Sequence, residues 1–471
     1  MNKWQLVIGI EIHLELNTKT KMFSAAPNLY TNEANINVSH IDLAYPGSLP
    51  LVNKEAIIKA IKLAKALNME IDQKIRFDRK NYFYPDLTKG YQITQQFNPI
   101  GKNGIINIKV DDTWKQIAIE RIHLEEDTAK SMHEGNLTYL NYNRAGVPLI
   151  EIVSKPVMHS AKEASAYVEA IRQTALALNI SDAKMNEGSL RVDLNISLKQ
   201  AADTKLGTKV EIKNLNSVSN VEKAINYEFQ EQIKILENNQ SVQQQTKRFD
   251  EASEKTVVMR SKSDSIDYKY FPDPNIPYID LPKEIIDSIE IEELPFEREK
   301  RYISLGLNQV QISQLINNVA YANFVDSIST SDFKKNVNIF FSEFVSFLNS
   351  EQLDLNQLNL NQEDKNNFFQ WILDGKINKK DIKLVLKKHI ENPKQTLKSI
   401  IEINNLFIKT TNLSLDSIIQ EIFNENPNLK DEFKNNPNRA SKFTTGQVMK
   451  KTMGKANINE LNQKMKELYE A

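Results

Sequence analysis

Val7 to Leu16 read V-I-G-I-E-I-H-L-E-L. Ile8, Ile10, Ile12, Leu14 and Leu16 alternate with Gly9, Glu11, His13 and Glu15, so an extended chain places the apolar set on one face and three ionisable groups on the other. An ordinary half-exposed strand mixes Thr, Ser, Lys and Glu on its polar side. A histidine between two acids is a denser choice, although a solvated edge strand has the same alternation. The pattern recurs. Arg191 to Leu198 buries Val192, Leu194, Ile196 and Leu198 and displays Arg191, Asp193, Asn195 and Ser197. Lys209 to Leu215 displays Glu211 and Lys213, and Ile117 to Glu126 ends in Glu125-Glu126, followed by Asp127. Leu149 to Val153 carries Glu151 inside an apolar run, where an unpaired charge is costly.

If these strands share one sheet, Glu11, His13, Glu125, Glu151, Asp193 and Glu211 converge into a single concave cluster. Crowded acids persist only where cations offset them. Arg191 and Lys213 supply part of that charge and Mg²⁺ the rest. Carboxylate-held Mg²⁺ beside a Lys and an Arg is the arrangement that phosphoryl transfer from ATP requires. A polar sheet face bearing an ion-pair network is the alternative.

Composition limits the chemistry. The 471 residues contain no cysteine, which excludes disulfides, thiolate nucleophiles, iron–sulfur clusters and Cys-ligated zinc. The six histidines include no pair three to five residues apart, so a zincin-type helix is absent and oxygen-ligated magnesium or calcium is favoured. Lys plus Arg number 60 against 61 Asp plus Glu, so any nucleic-acid contact must come from a local patch. No apolar run of about 18 residues is present to cross a bilayer. The N-terminus runs directly into the first strand without a signal-peptide pattern, which reads as cytoplasmic and without membrane association. Phosphate loops of the G-x-x-x-x-G-K-[ST] type, G-x-G-x-x-G fingerprints and G-x-S-x-G elbows are all missing.

The length exceeds a single core of about 250–300 residues and predicts two or three domains. Period-two stretches and Gly- and Pro-containing turns fill the first part, with helices after Asn53 and after capping boxes at Ser160-x-x-Glu163 and Ser219-x-x-Glu222. Beyond Leu294 the pattern is helical. The reading is α+β: a mixed α/β domain over 1–294 with the acidic site on its sheet, an all-α domain over 295–405, and a small helical tail over 406–471. The last 42 residues hold nine Lys/Arg and five Asp/Glu, the best local case for nucleic acid.

Two loops add rings and cations. Asn81 to Gln95 (N-Y-F-Y-P-D-L-T-K-G-Y-Q-I-T-Q) offers Tyr82, Tyr84, Lys89 and Tyr91. Met259 to Pro277 offers Arg260, Tyr268 and Tyr270. Such surfaces suit ATP or an RNA acceptor end, and tyrosines filling a core beside a turn would look similar.

Together with these loops, eight strings carry a resemblance along essentially the whole chain: VIGIEIHLELNTKTKMFS (7–24), NYFYPDLTKGYQITQ (81–95), RIHLEEDTAK (121–130), NRAGVPLIEIVSKP (143–156), MNEGSLRVDLNIS (185–197), VEIKNLNSV (210–218), MRSKSDSIDYKYFPDPNIP (259–277) and GQVMKKTMGKAN (446–457). They resemble the B subunit of the bacterial glutamyl/aspartyl-tRNA amidotransferases. The resemblance implies a cradle domain, a helical domain and a YqeY-like tail. It also implies a complex with an amidase (glutaminase) subunit and a small linking subunit, the A and C components of the same enzyme. With ATP and Mg²⁺, the B component phosphorylates misacylated Glu-tRNA(Gln) or Asp-tRNA(Asn), and ammonia from the partner glutaminase then forms the amide.

On this reading Glu11, His13, Glu125, Glu151 and Glu211 are metal or water-network ligands, Arg191 and Lys213 neutralise the transferring phosphate, and Asp193 and Asn195 are secondary catalytic candidates. Tyr82, Tyr84, Lys89, Tyr91, Arg260, Tyr268 and Tyr270 meet the nucleotide or acceptor end, while Lys450, Lys451 and Lys455 meet tRNA. Many relatives carry a zinc knuckle of two Cys pairs. Those positions here are Ser24, Ala26, Ser39 and Asp42, so no zinc is expected and the loop must be held by packing. A non-catalytic tRNA-binding scaffold and a magnesium-dependent kinase of a small metabolite are the alternatives.

Overall fold

The computed structural model describes residues 3–200, 203–261, 267–408, 415–452, 456 and 458–470. The chain divides into two compact units, 1–300 and 301–471. The α+β expectation holds: the first unit is built on a mixed sheet and the second is helical.

The first unit centres on a nine-stranded sheet. Its spatial order is Lys255–Ser261, Gln245–Asp250, Val210–Lys213, Leu190–Gln200, Trp4–Glu15, Pro148–Ser154, Thr113–Glu126, Gly101–Val110 and Glu70–Ile71. Its neighbours pair antiparallel except Val210–Lys213 with Gln245–Asp250, which pair in parallel. The strand quoted first therefore lies near the middle of the sheet. Its alternation is what fixes the layers: Ile8, Ile10, Ile12 and Leu14 are at most 1% exposed. They share one core with Ile150, Ile152, Val192, Leu194, Ile122 and Leu124 of the neighbouring strands and with apolar residues of helices Lys54–Ala66, Ala161–Ala177 and Val218–Glu237. A one-residue slip would turn all of these out into water, so the register is strongly specified.

Helix starts follow side-chain chemistry. Asn53 accepts the Glu55 and Ala56 N–H groups at 2.8 and 3.3 Å, and Ser160 accepts that of Glu163 at 3.2 Å. Glu163 does not close the expected box on Ser160; its carboxylate accepts the His159 N–H at 2.7 Å and pairs with Lys115 at 2.8 Å. The third helix starts earlier than expected. Ser217 is its N-cap, accepting the Asn220 N–H at 3.1 Å, which leaves Ser219 inside the first turn.

Ser24, Ala26 and Asp42 are buried, and packing is not all that holds their loop. Lys21 is fully buried and its Nζ lies 3.3 Å from Asp42 Oδ2, which also accepts the Ser39 N–H at 2.9 Å. Gly146 closes over the pair with φ of +82°, and a Cβ there would stand 2.8 Å from Asp42 Oδ1.

The second unit contains two separate hydrophobic clusters. One gathers residues from Tyr302 to Ile401 around stacked Phe344 and Phe369, 5.0 Å apart. The other gathers Ile418, Ile422, Ala440, Val448 and Leu461 from helices Leu415–Glu425, Pro437–Lys451 and Ile458–Glu470. No helix among the described residues is long and apolar enough to cross a membrane.

Candidate functional site

Register carries the site. His13 stands opposite Arg191 on one side and Glu151 on the other, and Glu151 stands opposite His123. Glu11 is opposite Asp193, and Asn195 is opposite Glu211. Residues directly opposite in an antiparallel ladder share a face, so the polar sides of five strands point the same way.

The acids form two triads instead of the single cluster expected. In the first, His13 Nε2 lies 3.5 Å from Glu125 Oε1 and 3.6 Å from Glu151 Oε2. His123, which the sequence reading omitted, adds its Nε2 at 3.1 Å from Glu151. In the second, Glu11, Asp193 and Glu211 meet, with Asn195 Nδ2 donating to Glu11 at 2.9 Å. Lys213 Nζ lies 2.5 Å from Asp193 and 3.1 Å from Glu211, and Thr246 Oγ1 donates to Glu211 at 2.8 Å. The cause of the split is lateral: the two triads sit on opposite sides of the central strand, His13 reaching toward Pro148–Ser154 and Glu11 toward Leu190–Gln200.

A cleft of about 450 Å³ joins them, lined by His13, Lys80, Tyr82, Glu125, Asp127, Arg191, Asp193 and Lys213 among others. Arg191 donates to Asp127 at 2.7 Å, and Arg144 Nε lies 3.5 Å from the same carboxylate while donating to the carbonyls of Thr128 and Ala129. Lys80 and Arg144 carry no assignment from sequence, and Glu15 and Asp127, visible on or beside the alternating strands, carry no role there. His123 had a signal, since it sits two residues before Glu125 on an alternating strand. Lys80 had only its nearness to Tyr82.

The charges are strongly coupled. Burial pushes the His123 imidazole toward neutrality, but Glu151 and Glu125 outweigh it and raise the pKa to about 9. Burial likewise opposes ionisation of Glu151, yet His123, His13 and Lys80 hold its carboxyl well below the usual range. Burial and the nearby Asp127 push Glu15 up to about 7, with Arg191 and Arg144 offsetting part of this. For Lys80 and Lys213 burial opposes the charge. Glu125 for the former and Asp193 with Glu211 for the latter prevail, so both ammonium groups are strengthened.

A folded-state pKa of about 9 for His123, above the ordinary 6.5, has a sign. Its contribution to stability is complete below about pH 6.5 and is lost as pH rises through about 9. In chelator-treated protein the unfolding free energy of the first unit should therefore fall across that interval more steeply than in a His123→Gln variant. Equal slopes would contradict the assignment.

The remaining residues fall in different places. Tyr82, Tyr268 and Tyr270 form one chain of rings beside Lys80, with centroids 5.9 Å apart at each step. Tyr84 is exposed, and Tyr91 lies under the Arg79 guanidinium at 4.1 Å. Lys89 pairs with buried Glu126, whose carboxylate also accepts the Ile93 N–H at 3.1 Å. It is absent from the cleft lining because Glu126 alternates onto the opposite face from Glu125. Arg260 lies on the edge strand Lys255–Ser261. Lys450 is exposed, whereas Lys451 is bound by Glu421 and Glu425 at 3.0 and 2.6 Å. Gly446 lies inside helix Pro437–Lys451, and Lys455 lies outside the described residues.

Both triads fit a divalent cation. Within each, one donor atom per residue lies within 4.8 Å of the others. Glu11, Asp193 and Glu211 offer only hard oxygen, the donor set of Mg²⁺, and Asn195 Oδ1 beside them is buried without a hydrogen-bond partner. The triad with His13 mixes nitrogen and oxygen, a set that transition metals also accept.

Residues 6–287 match the GatB/GatE catalytic domain family and residues 323–468 the GatB domain family. Among named relatives, the B subunit of the aspartyl/glutamyl-tRNA(Asn/Gln) amidotransferase of Mycoplasmopsis agalactiae is 48% identical over 467 residues, covering 98% of each chain. The chain belongs to this family. The B subunit of the same name from Mycoplasmopsis pulmonis is 47% identical, covering 100% of this chain and 99% of that one. That of Mycoplasma mobile is 49% identical, covering 97% and 96%. The GatB/GatE catalytic domain match contains both triads and the cleft, so the acidic sheet face belongs to the part that family calls catalytic.

Proposed function

We propose that this chain is the activating subunit of a cytoplasmic tRNA-dependent amidotransferase. It would use ATP to phosphorylate the side-chain carboxylate of Glu on tRNA(Gln), of Asp on tRNA(Asn), or of both. A carboxylate oxygen attacks the γ-phosphorus and ADP leaves. Ammonia released by a partner glutaminase subunit, joined through a small linking subunit, then attacks the acyl carbon and phosphate leaves. The observation that carries the reading is the pairing of two triads, one of three carboxylates and one of two carboxylates and a histidine, with Lys80, Arg191 and Lys213 at one cleft.

Two anions must meet here, the substrate carboxylate and the γ-phosphate, and they approach only where fixed positive charge offsets them. Lys213 and Lys80 keep their protons in the cleft because the acids outweigh burial. Arg191 is held in place by Asp127. A Mg²⁺ ion bound by Glu11, Asp193 and Glu211, or by His13, Glu125 and Glu151, would neutralise phosphate oxygens as a Lewis acid. Tyr82, Tyr268 and Tyr270 supply ring surface at the cleft for a base. A non-catalytic tRNA scaffold would have no use for two triads of metal-type donors beside one cleft.

We place the functional divisions at 1–294, 295–405 and 406–471, with tRNA gripped away from its acceptor end by the tail. Lys450 is an exposed cation there, as are Lys434, Arg439 and Lys442, and phosphate contacts of this kind position tRNA more than they select sequence. Removing residues 406–471 should raise the KM for tRNA tenfold or more at moderate salt, with kcat at saturation changed far less; an unchanged KM would remove the tail from recognition.

The reading is tested in the reconstituted complex by measuring ATP consumption with misacylated tRNA, correctly aminoacylated tRNA and no tRNA. One ATP consumed per amide formed, only with the misacylated substrate, is expected. Amidation without ATP consumption would overturn it.

A further inference from the structure

From the cleft a line of rings and cations runs outward over the small strands Asp78–Asn81, Lys74–Ile75 and Phe271–Pro272. Lys80 Nζ lies 5.0 Å from the Tyr268 ring centroid, between Tyr82 and Tyr270. Tyr270 meets Phe97 at 6.5 Å, the Arg76 guanidinium lies 5.3 Å from Phe97 and 5.8 Å from Tyr278, and Lys74 Nζ lies 5.2 Å from Tyr278. Every step is between 5.0 and 6.5 Å, and the rings meet one another edge-on, so none covers its neighbour face to face. Phe97 and Tyr278, distant in sequence, are 51% and 52% exposed. Two acids lie beneath the arginines: buried Asp78 lies 3.2 Å from Arg76, and buried Asp273 accepts from Arg79 at 2.8 Å. The outer surface is thus aromatic and cationic, with the counter-charges of both guanidinium groups interior and one exposed acid, Asp280, opposite Lys74 at the outer end.

We propose that this stripe, from Tyr82 to Tyr278, is the platform on which the unpaired 3′ end of the RNA substrate stacks as it enters the cleft. The inference rests on the tRNA-dependent function proposed above and extends that site beyond the residues around Tyr82. Single strands bind such surfaces because every base has a face to stack and every linkage a phosphate to neutralise. A mononucleotide such as ATP has one base, whereas the stripe offers five rings in succession. Its inner end shares Lys80 and Tyr82 with the cleft lining, so a strand lying along it delivers its terminus to the acids.

The test compares binding of intact tRNA, and of tRNA lacking its four 3′-terminal nucleotides, to the full complex. Wild type should bind the intact form at least tenfold more tightly. Phe97→Ala and Tyr278→Ala should each weaken intact tRNA by roughly five- to tenfold and leave truncated tRNA unaffected, and Phe97→Trp should restore binding. Lys74→Gln should reduce the slope of log affinity against log salt by about one. Undiminished preference for intact tRNA in both alanine variants, or no preference in wild type, overturns the proposal. Melting temperature and partner glutaminase activity show that the variants are folded. Failure of the functional reading would appear separately, as a wild-type complex that binds both RNAs with the expected preference yet consumes no ATP with misacylated tRNA.

Discussion

Replacing Glu125 with alanine will abolish tRNA-dependent ATP consumption while the glutaminase activity of the partner subunit survives. Glu125 is buried at the end of strand Thr113–Glu126, with one oxygen 3.5 Å from His13 and the other 3.7 Å from His123. Without it the triad loses the carboxylate that lines the cleft, and His13 and His123 are left with Glu151 alone. A metal-type site that stabilises developing phosphate charge supplies several kcal/mol, so the loss should exceed a hundredfold in rate. Glu11→Ala should act equally through the second triad, where it also strands the Asn195 amide that donates to it. Glutaminase chemistry proceeds on another subunit and reports that the complex is intact. Wild-type amidation in either variant would sink the assignment of that triad.

Lys21→Met will destabilise the first unit by about 3–5 kcal/mol, the scale for breaking a buried ion pair from one side. Both groups are out of water, and burial pushes the Lys21 pKa down even though Asp42 pulls it back up. Removing the ammonium leaves Asp42 ionised in the interior with the Ser39 N–H as compensation. Lys21→Met combined with Asp42→Asn should recover more than half of the loss, because the neutral amide keeps an acceptor for Ser39 without a stranded charge. Chemical unfolding of the four proteins gives the coupling energy, for which about 2 kcal/mol or more is expected. Additive losses would show that the pair does not hold the loop.

The central layers were legible because alternation is a local property. Ile8 to Leu14 declare the buried face, and the same two-residue period placed Glu11, His13, Asp193, Glu151 and Glu211 on the other. What alternation cannot give is lateral order. That His13 turns toward Glu151 and Glu11 toward Asp193 follows from which strands flank the first, and so the two triads looked like one. Lys89 was misplaced for a related reason: it is adjacent to a turn, and nothing local reveals that its partner is Glu126 on the hidden face. Lys80 reaches the cleft from a short strand without a legible period, and Asp127 from the turn just past an alternating strand. Ser217 captured the third helix in place of Ser219 because a cap needs only an N–H three residues ahead, and both serines have one.

The most direct measurement follows oxygen. Misacylated tRNA carrying ¹⁸O in the side-chain carboxylate is given to the complex with ATP and glutamine, and the released phosphate is examined by mass spectrometry. If the carboxylate attacks the γ-phosphorus, one of its oxygens leaves in phosphate when ammonia displaces it, so one ¹⁸O per amide formed is the predicted result. Phosphate free of label, with amide still produced, would contradict activation by phosphoryl transfer.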